Sequence, residues 1–144
     1  MENIAQIIIV RRDLGMPAGK IIAQACHASM AVLLNMMKTS TSDDGATVSR
    51  SITLDAADPI NQWLSGSFTK IAVWAQDEQH LLDLIHKAEE SGLPVSKIVD
   101  SGRTVFNGVA TLTCACVGPA SKSQREAITG GLQMIGNVKK GTQE

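Results

Sequence analysis

The sequence predicts an α/β protein: a single domain with a mixed four-stranded β-sheet and helices packed on both faces, in the order β-α-α-β-α-β-β-α. Three observations carry this reading. Short apolar, β-branched runs alternate with longer stretches of helical periodicity, the pattern of a sheet covered by helices. At 144 residues the chain is long enough to bury one core of its own. The last two apolar runs are joined by a short link, which points to an antiparallel pair and so to a mixed sheet.

Ala5–Val10, AQIIIV, is an Ile-rich strand of the kind buried on both faces. Arg11, Arg12 and Asp13 follow where it emerges, and a turn with Gly15, Pro17 and Gly19 leads into a helix from about Ala18 to Met37. On that helix Lys20, Gln24 and His27 fall at i, i+4 and i+7 and so share one face. An amine, an amide and an imidazole in a row, among small and apolar neighbours, read as the wall of a site.

The polar segment 38–53 reads as an exposed loop, longer than most connections in compact domains. A short helix at Leu54–Ser65 follows, with Asp55 or Asp58 near its start, Pro59 in its first turn and Trp63 inward. Phe68–Ala75 is the second strand. Asp77–Ser91 is an amphipathic helix with Asp77 as N-cap and Gly92 at its end.

Leu93–Val99 forms the third strand and runs into D-S-G-R-T, Asp100 to Thr104. Such polar turns at strand ends commonly carry ligand-binding groups in α/β sheets. Ala110–Val117 is the fourth strand, with Thr111 and Thr113 two apart and hence on one face. A last helix spans about Ser121–Ile128, capped by Ser121 or Ser123, and Thr129–Ile135 packs back. The domain is therefore 1–135, with 136–144 a polar tail.

Composition excludes several classes. Net charge is −1, unlike a general nucleic-acid binder, but segment 38–92 carries −5 and the flanks +4, as expected if one face meets a polyanion. Phe68, Phe106, Trp63 and Trp74 are the only aromatics, which argues against an extended base-stacking platform. No apolar run approaches the roughly 20 residues of a membrane span, and the N-terminus lacks a signal-type pattern. A cytoplasmic protein with no membrane partner is expected.

Cys26, Cys114 and Cys116 form neither a disulfide framework nor a zinc motif, so buried free thiols and no metal are expected. The Gly15-to-Lys20 turn is not a nucleotide-phosphate loop, because three residues separate its glycines and Ile21 follows the lysine. Ser29 lies two residues from His27 on a helix and points elsewhere, so no nucleophilic triad is assembled. Attack by water is the simpler chemistry.

Four ordered blocks carry a resemblance: VRRDLGMPAGKIIAQACHA from Val10, WLSGSFTKIAV from Trp63, GLPVSKIVDSGRT from Gly92, and VGPA with ITGGL near the end. Together they resemble the archaeal/eukaryotic-type peptidyl-tRNA hydrolases over nearly the whole chain. The resemblance implies hydrolysis of the ester joining a peptide to the 3′ ribose of tRNA. It also implies a mixed four-stranded sheet, a homodimer, and no metal or organic cofactor.

Carried onto this sequence, the resemblance implies a catalytic set of Lys20, Asp100, Thr104 and a threonine of the fourth strand, with Gln24, His27 and Arg103 lining or supporting the cleft. Counting back from Gly118-Pro119 selects Thr113, and counting forward from Asp100 selects Thr111. Strand pairing favours Thr113. Asp100 would orient or partly deprotonate the water, with Thr104 and Thr113 holding it, and Lys20 would stabilise the oxyanion or a nearby phosphate. Gly19 belongs to the substrate-facing turn. Arg11, Arg12, Lys97, Arg103, Lys122 and Arg125 are candidates for phosphate contacts.

The turn departs from the family's M-G-x-G-K, reading Met16-Pro17-Ala18-Gly19-Lys20, and so loses a glycine and a charge. Two alternatives remain: a catalytically impaired module that binds tRNA or protein, and an esterase or amidase for small N-acylated substrates.

Overall fold

A computed structural model of the chain describes residues 3–103 and 106–136. The element order is β1 (Ala5–Arg11), α1 (Ala18–Met36), β2 (Lys38–Thr41), β3 (Val48–Ser51), α2 (Pro59–Ser65), β4 (Lys70–Ala75), α3 (Glu78–Glu90), β5 (Val95–Asp100), a 3-10 turn (Phe106–Gly108), β6 (Thr111–Ala120) and α4 (Lys122–Thr129). The main sheet has the strand order β4-β1-β6-β5. β1 runs parallel to β4 and antiparallel to β6, and β6 runs antiparallel to β5, so the sheet is mixed as predicted.

All seven residues of β1 are buried, because the strand is central and helices cover both faces. Ile7 and Ile9 pack with Leu81, Leu84 and Ile85 of α3 and Ile128 of α4. Ile8 and Val10 point the other way, onto Met16 and onto Ala28 and Val32 of α1. Each fully buried side chain of this size stabilises by about 1.5–3 kcal/mol relative to exposure.

Short polar side chains fix the helix starts. Asp58, rather than Asp55, accepts from the Ile60 amide, with Pro59 following in the first turn. Asp77 accepts from His80 N, and Ser121 forms a reciprocal capping box with Gln124. Each such cap is worth about 1 kcal/mol. After α3 the backbone turns through Gly92, whose φ of +73° favours glycine.

Two expectations are corrected. Segment 38–53 is not a loop: Lys38–Thr41 pairs antiparallel with Val48–Ser51 in a separate hairpin. All eight strand residues are exposed, so no apolar face marks them as strands. Cys26 is exposed on α1, whereas Cys114 and Cys116 are buried in β6 as predicted. Their burial holds both thiols in the neutral form, with Cys114 pushed up to about 11.

The stretch after α4 packs back as expected. The Trp74 amide donates to Gln133 O and the Ile135 amide to Ala72 O, each at 3.0 Å, which covers the outer edge of β4. Among the described residues no helix is long and apolar enough to cross a membrane. Thr104 and the tail from 137 to 144 lie outside the described residues.

Candidate active site

Three elements bring polar groups together at one end of the sheet. β5 ends at Asp100, β6 begins at Thr111, and α1 begins just after the turn that follows β1. Pro17 is the N-cap of α1 and offers no side-chain cap, so the positive end of the helix dipole stands beside Lys20.

Lys20 Nζ donates to Asp100 Oδ1 at 2.6 Å, with the two side chains only 16% and 10% exposed. One turn along α1, Gln24 Nε2 donates to the same Oδ1 at 3.3 Å. The other end of the Gln24 amide accepts from Thr113 Oγ1 at 2.7 Å. Asp100 Oδ2 accepts from the Gly102 amide at 2.9 Å. A continuous chain therefore runs from Thr113 through Gln24 to the Asp100 carboxylate, with Lys20 closing it.

The geometry sets the charge state of Asp100. Its hydrogen bond from Lys20, followed by that from the Gly102 amide, holds the carboxyl below its ordinary range. It is a fixed anion at neutral pH and hence a weak proton acceptor. A carboxylate offers about four lone-pair positions, and the three donors named leave room on Oδ2 for one more, such as a water.

A strand irregularity decides which threonine joins this chain. Ile98 pairs with Cys114 and Val99 with Leu112, so Thr113 is the extra residue of a bulge in β6. Thr113 is fully buried, and its hydroxyl meets Gln24 and lies 3.3 Å from Ile98 O. Thr111, partly exposed, donates instead to Val109 O. The two do not act from one face as regular alternation requires.

The turn after β5 depends on Gly102. Its φ is +82°, and a Cβ there would lie 2.5 Å from Val109 O and 2.6 Å from Val109 N. Close packing between the 100–102 turn and the 108–109 backbone holds the Gly102 amide under Asp100, with Gly108 N donating to Gly102 O at 2.9 Å.

The other predicted site residues fall into two groups. Gly19, Arg12, His27 and Arg103 are exposed near these elements, and Gly19 has open space where a Cβ would stand. Arg11 is not a surface phosphate contact. It is buried, donates through Nε and Nη2 to the Asp13 carboxylate at 3.1 and 2.7 Å, and through Nη1 to Leu112 O at 3.0 Å. The β1–β6 ladder stops at Val10 and Cys114, so the guanidinium ties β6 to β1 where backbone pairing ends. Arg125 is also buried, bonded to Ala120 O and Asn3 O.

Sequence reasoning missed the role of Gly102 and the linkage from Gln24 to Thr113. An apolar groove of about 360 Å³ lies between α1 and α2, lined by Ala25, Met30, Trp63 and Phe68 among others, and shares no residue with the polar chain.

Comparison with known proteins finds relatives over most of the chain. The family model described as Peptidyl-tRNA hydrolase PTH2 matches residues 4–135. A probable peptidyl-tRNA hydrolase 2 of Dictyostelium discoideum is 35% identical over 130 residues, covering 90% of this chain and 53% of that protein. The chain thus spans about half the length of that relative. Peptidyl-tRNA hydrolases of Metallosphaera sedula and Methanocaldococcus jannaschii are 32% and 30% identical over 129 residues, covering 90% of this chain and 97% of each. A solved protein of unknown function from Agrobacterium tumefaciens matches with a TM-score of 0.54 at 10% identity, over 93% of this chain and 98% of that one, a likeness of fold. The chain belongs to the family described as Peptidyl-tRNA hydrolase PTH2.

Proposed function

We propose that this chain is a peptidyl-tRNA hydrolase that cleaves the ester between peptide and 3′ ribose by attack of water, with the Asp100 cluster as its site. The observation that carries the reading is the bonded chain Lys20–Asp100–Gln24–Thr113, assembled within the span matched by the family.

Water held on Asp100 Oδ2 adds its oxygen to the ester carbonyl carbon, giving a tetrahedral oxyanion. Lys20 stabilises that oxyanion together with the positive end of α1. Collapse breaks the bond to the ribose oxygen, which takes one proton directly from the added water as it leaves, so no protein group need carry that proton. The products are a peptide acid and tRNA with a free 3′ hydroxyl. Asp100 orients the water rather than stripping it, because its low pKa makes it a poor base.

Thr113 is a positioning residue in this scheme. Buried beneath Gln24, it acts through the Gln24 amide and not on the water. Thr104 is proposed as the second hydroxyl of the water site on the resemblance of the D-S-G-R-T turn. Arg12 and Arg103, both exposed, are the proposed phosphate contacts, and Gly19 and His27 the proposed rim.

The chain acts in the cytoplasm as a homodimer. Its three free thiols fit a reducing compartment. Ile22, Met30 and Leu34, each about half exposed or more, give α1 an apolar surface for a second copy.

The test is release of peptide from N-blocked aminoacyl-tRNA, set against the same N-blocked amino acid as a methyl ester. Turnover of the tRNA ester with kcat/KM at least about 100-fold higher supports the proposal. Equal rates would place the chain among small-substrate esterases, and binding without turnover would make it a tRNA-binding module.

A further inference from the structure

Resting on that reading, the structure also points to where the unpaired 3′ end of the tRNA is held. The Arg12 guanidinium lies over the Trp74 ring, 5.7 Å from its centroid. Gln133 fixes it there: its Oε1 accepts from Arg12 Nη1 at 2.9 Å, while its backbone oxygen accepts from the Trp74 amide. Arg12 is thus held over the indole by the Gln133 amide and stays exposed on its outer side.

Its charge is also unspent. Arg11 is paired with Asp13, Lys20 with Asp100 and Lys122 with Glu126, whereas among the described residues Arg12 has no acidic partner. A guanidinium held in place over an aromatic ring and free of an acid suits an anionic group that carries a planar face. A nucleotide has both features, and Arg guanidinium planes are a recurring surface for unstacked RNA bases.

Placement agrees. Trp74 packs with the core on the α1 side of the sheet, the side from which Lys20 and Gln24 reach Asp100. Arg12 directly follows β1 but its guanidinium lies over Trp74 of β4, so the platform stands three strand spacings from β5, about 14 Å, within reach of two or three nucleotides of a single strand. The turn 13–17 leads from Arg12 to the start of α1, which carries Lys20, and exposes Gly15 and Pro17.

We propose that Arg12, seated over Trp74 and braced by Gln133, is a stacking platform for a base of the unpaired 3′ end of tRNA. It extends the ester site into a nucleotide subsite, one that a solvated arginine at the mouth of the cleft does not provide.

The experiment pairs kinetics with binding. With N-blocked aminoacyl-tRNA as substrate, Arg12→Ala and Gln133→Ala are expected to lower kcat/KM, about tenfold for Arg12→Ala, with the loss carried by KM. Arg12→Lys keeps the phosphate charge and loses the plane, so it is expected to recover only part of that loss. An acceptor-stem RNA hairpin ending in unpaired ACCA is expected to bind wild type more tightly than the same hairpin without those nucleotides. Arg12→Ala is expected to erase the difference. Both substituted positions are exposed, so folding is retained. Wild-type KM in Arg12→Lys, or equal binding of the two hairpins by wild type, would overturn the platform. Failure of wild type to hydrolyse the ester would instead overturn the proposed activity, and the hairpin comparison would still read the platform.

Discussion

Lys20 and Asp100, eighty residues apart in sequence, meet at 2.6 Å between Nζ and Oδ1. Neither side chain is far exposed, so the pair is a fixed part of the fold and not a passing surface contact. It joins the first turn of α1 to the last residue of β5. Lys20 holds the Asp100 carboxyl in its ionised form and brings a cation to the place where an anionic intermediate forms.

The pH dependence follows from that pair. The Asp100 pKa is lower folded than unfolded, so its stabilisation is full above the unfolded value near 3.9 and is lost as pH falls through the folded value. The acid limb of kcat should therefore lie below the ordinary carboxylate range. Replacing Lys20 by Met removes the largest cause of the depression, and the Asp100 titration followed by carboxyl carbon NMR should move upward. An unchanged titration in Lys20→Met would show that the Gly102 amide sets it instead.

Thr113 offers a separate check. Thr113→Val leaves the buried Gln24 Oε1 without its donor, at a cost of about 1–3 kcal/mol in unfolding free energy. Because Gln24 then loses its orientation towards Asp100, kcat should fall more than KM changes. Thr113→Ser, which keeps the hydroxyl, should recover most of both. Thr111→Val removes a hydroxyl bonded only to Val109 O and should change kcat by less than about twofold.

Gly102→Ala tests the turn. The left-handed backbone alone costs about 1–2 kcal/mol for an alanine, and contacts of 2.5 and 2.6 Å with Val109 force the turn to shift. Loss of the amide from Asp100 Oδ2 should appear as a raised Asp100 pKa alongside a lowered Tm. A variant with a wild-type Tm and titration would mean that the turn adjusts freely.

Arg11 and Arg12 are neighbours with opposite predictions. Arg11→Gln breaks the ties to Leu112 O and Asp13, so unfolding free energy should drop by about 1.5–3 kcal/mol with the salt dependence of tRNA binding unchanged. Arg12→Ala should leave Tm nearly as it was and reduce the slope of log Kd against log salt by about one. Measuring binding from low to moderate salt with both variants separates the buried clamp from the substrate contact.

Much of this arrangement was legible in the sequence, and the exceptions have physical causes. The i and i+4 spacing of Lys20 and Gln24 put both on the face that meets Asp100, while His27 lies further along α1, where the neighbouring Ala28 O accepts from Ser96 of β5, and is exposed. The four core strands announced themselves by apolar, β-branched runs. The hairpin of β2 and β3 did not, since Ser, Thr and charged side chains stand on both of its faces. The pairing of Arg11 with Asp13 was present as an R-x-D spacing at a strand exit but read as surface charge. Thr113 was selected by strand register. Its separation from Thr111 comes from a bulge, which side-chain pattern does not encode.

The most direct test of the account is single-turnover release of peptide from N-blocked aminoacyl-tRNA by wild type, Asp100→Asn, Lys20→Met and the double variant. Each single change should lower the rate by about 100–1000-fold, and the double should be scarcely slower than either, because the two groups act as one unit. Folded Asp100→Asn and Lys20→Met proteins that release peptide within a few-fold of wild type would contradict it.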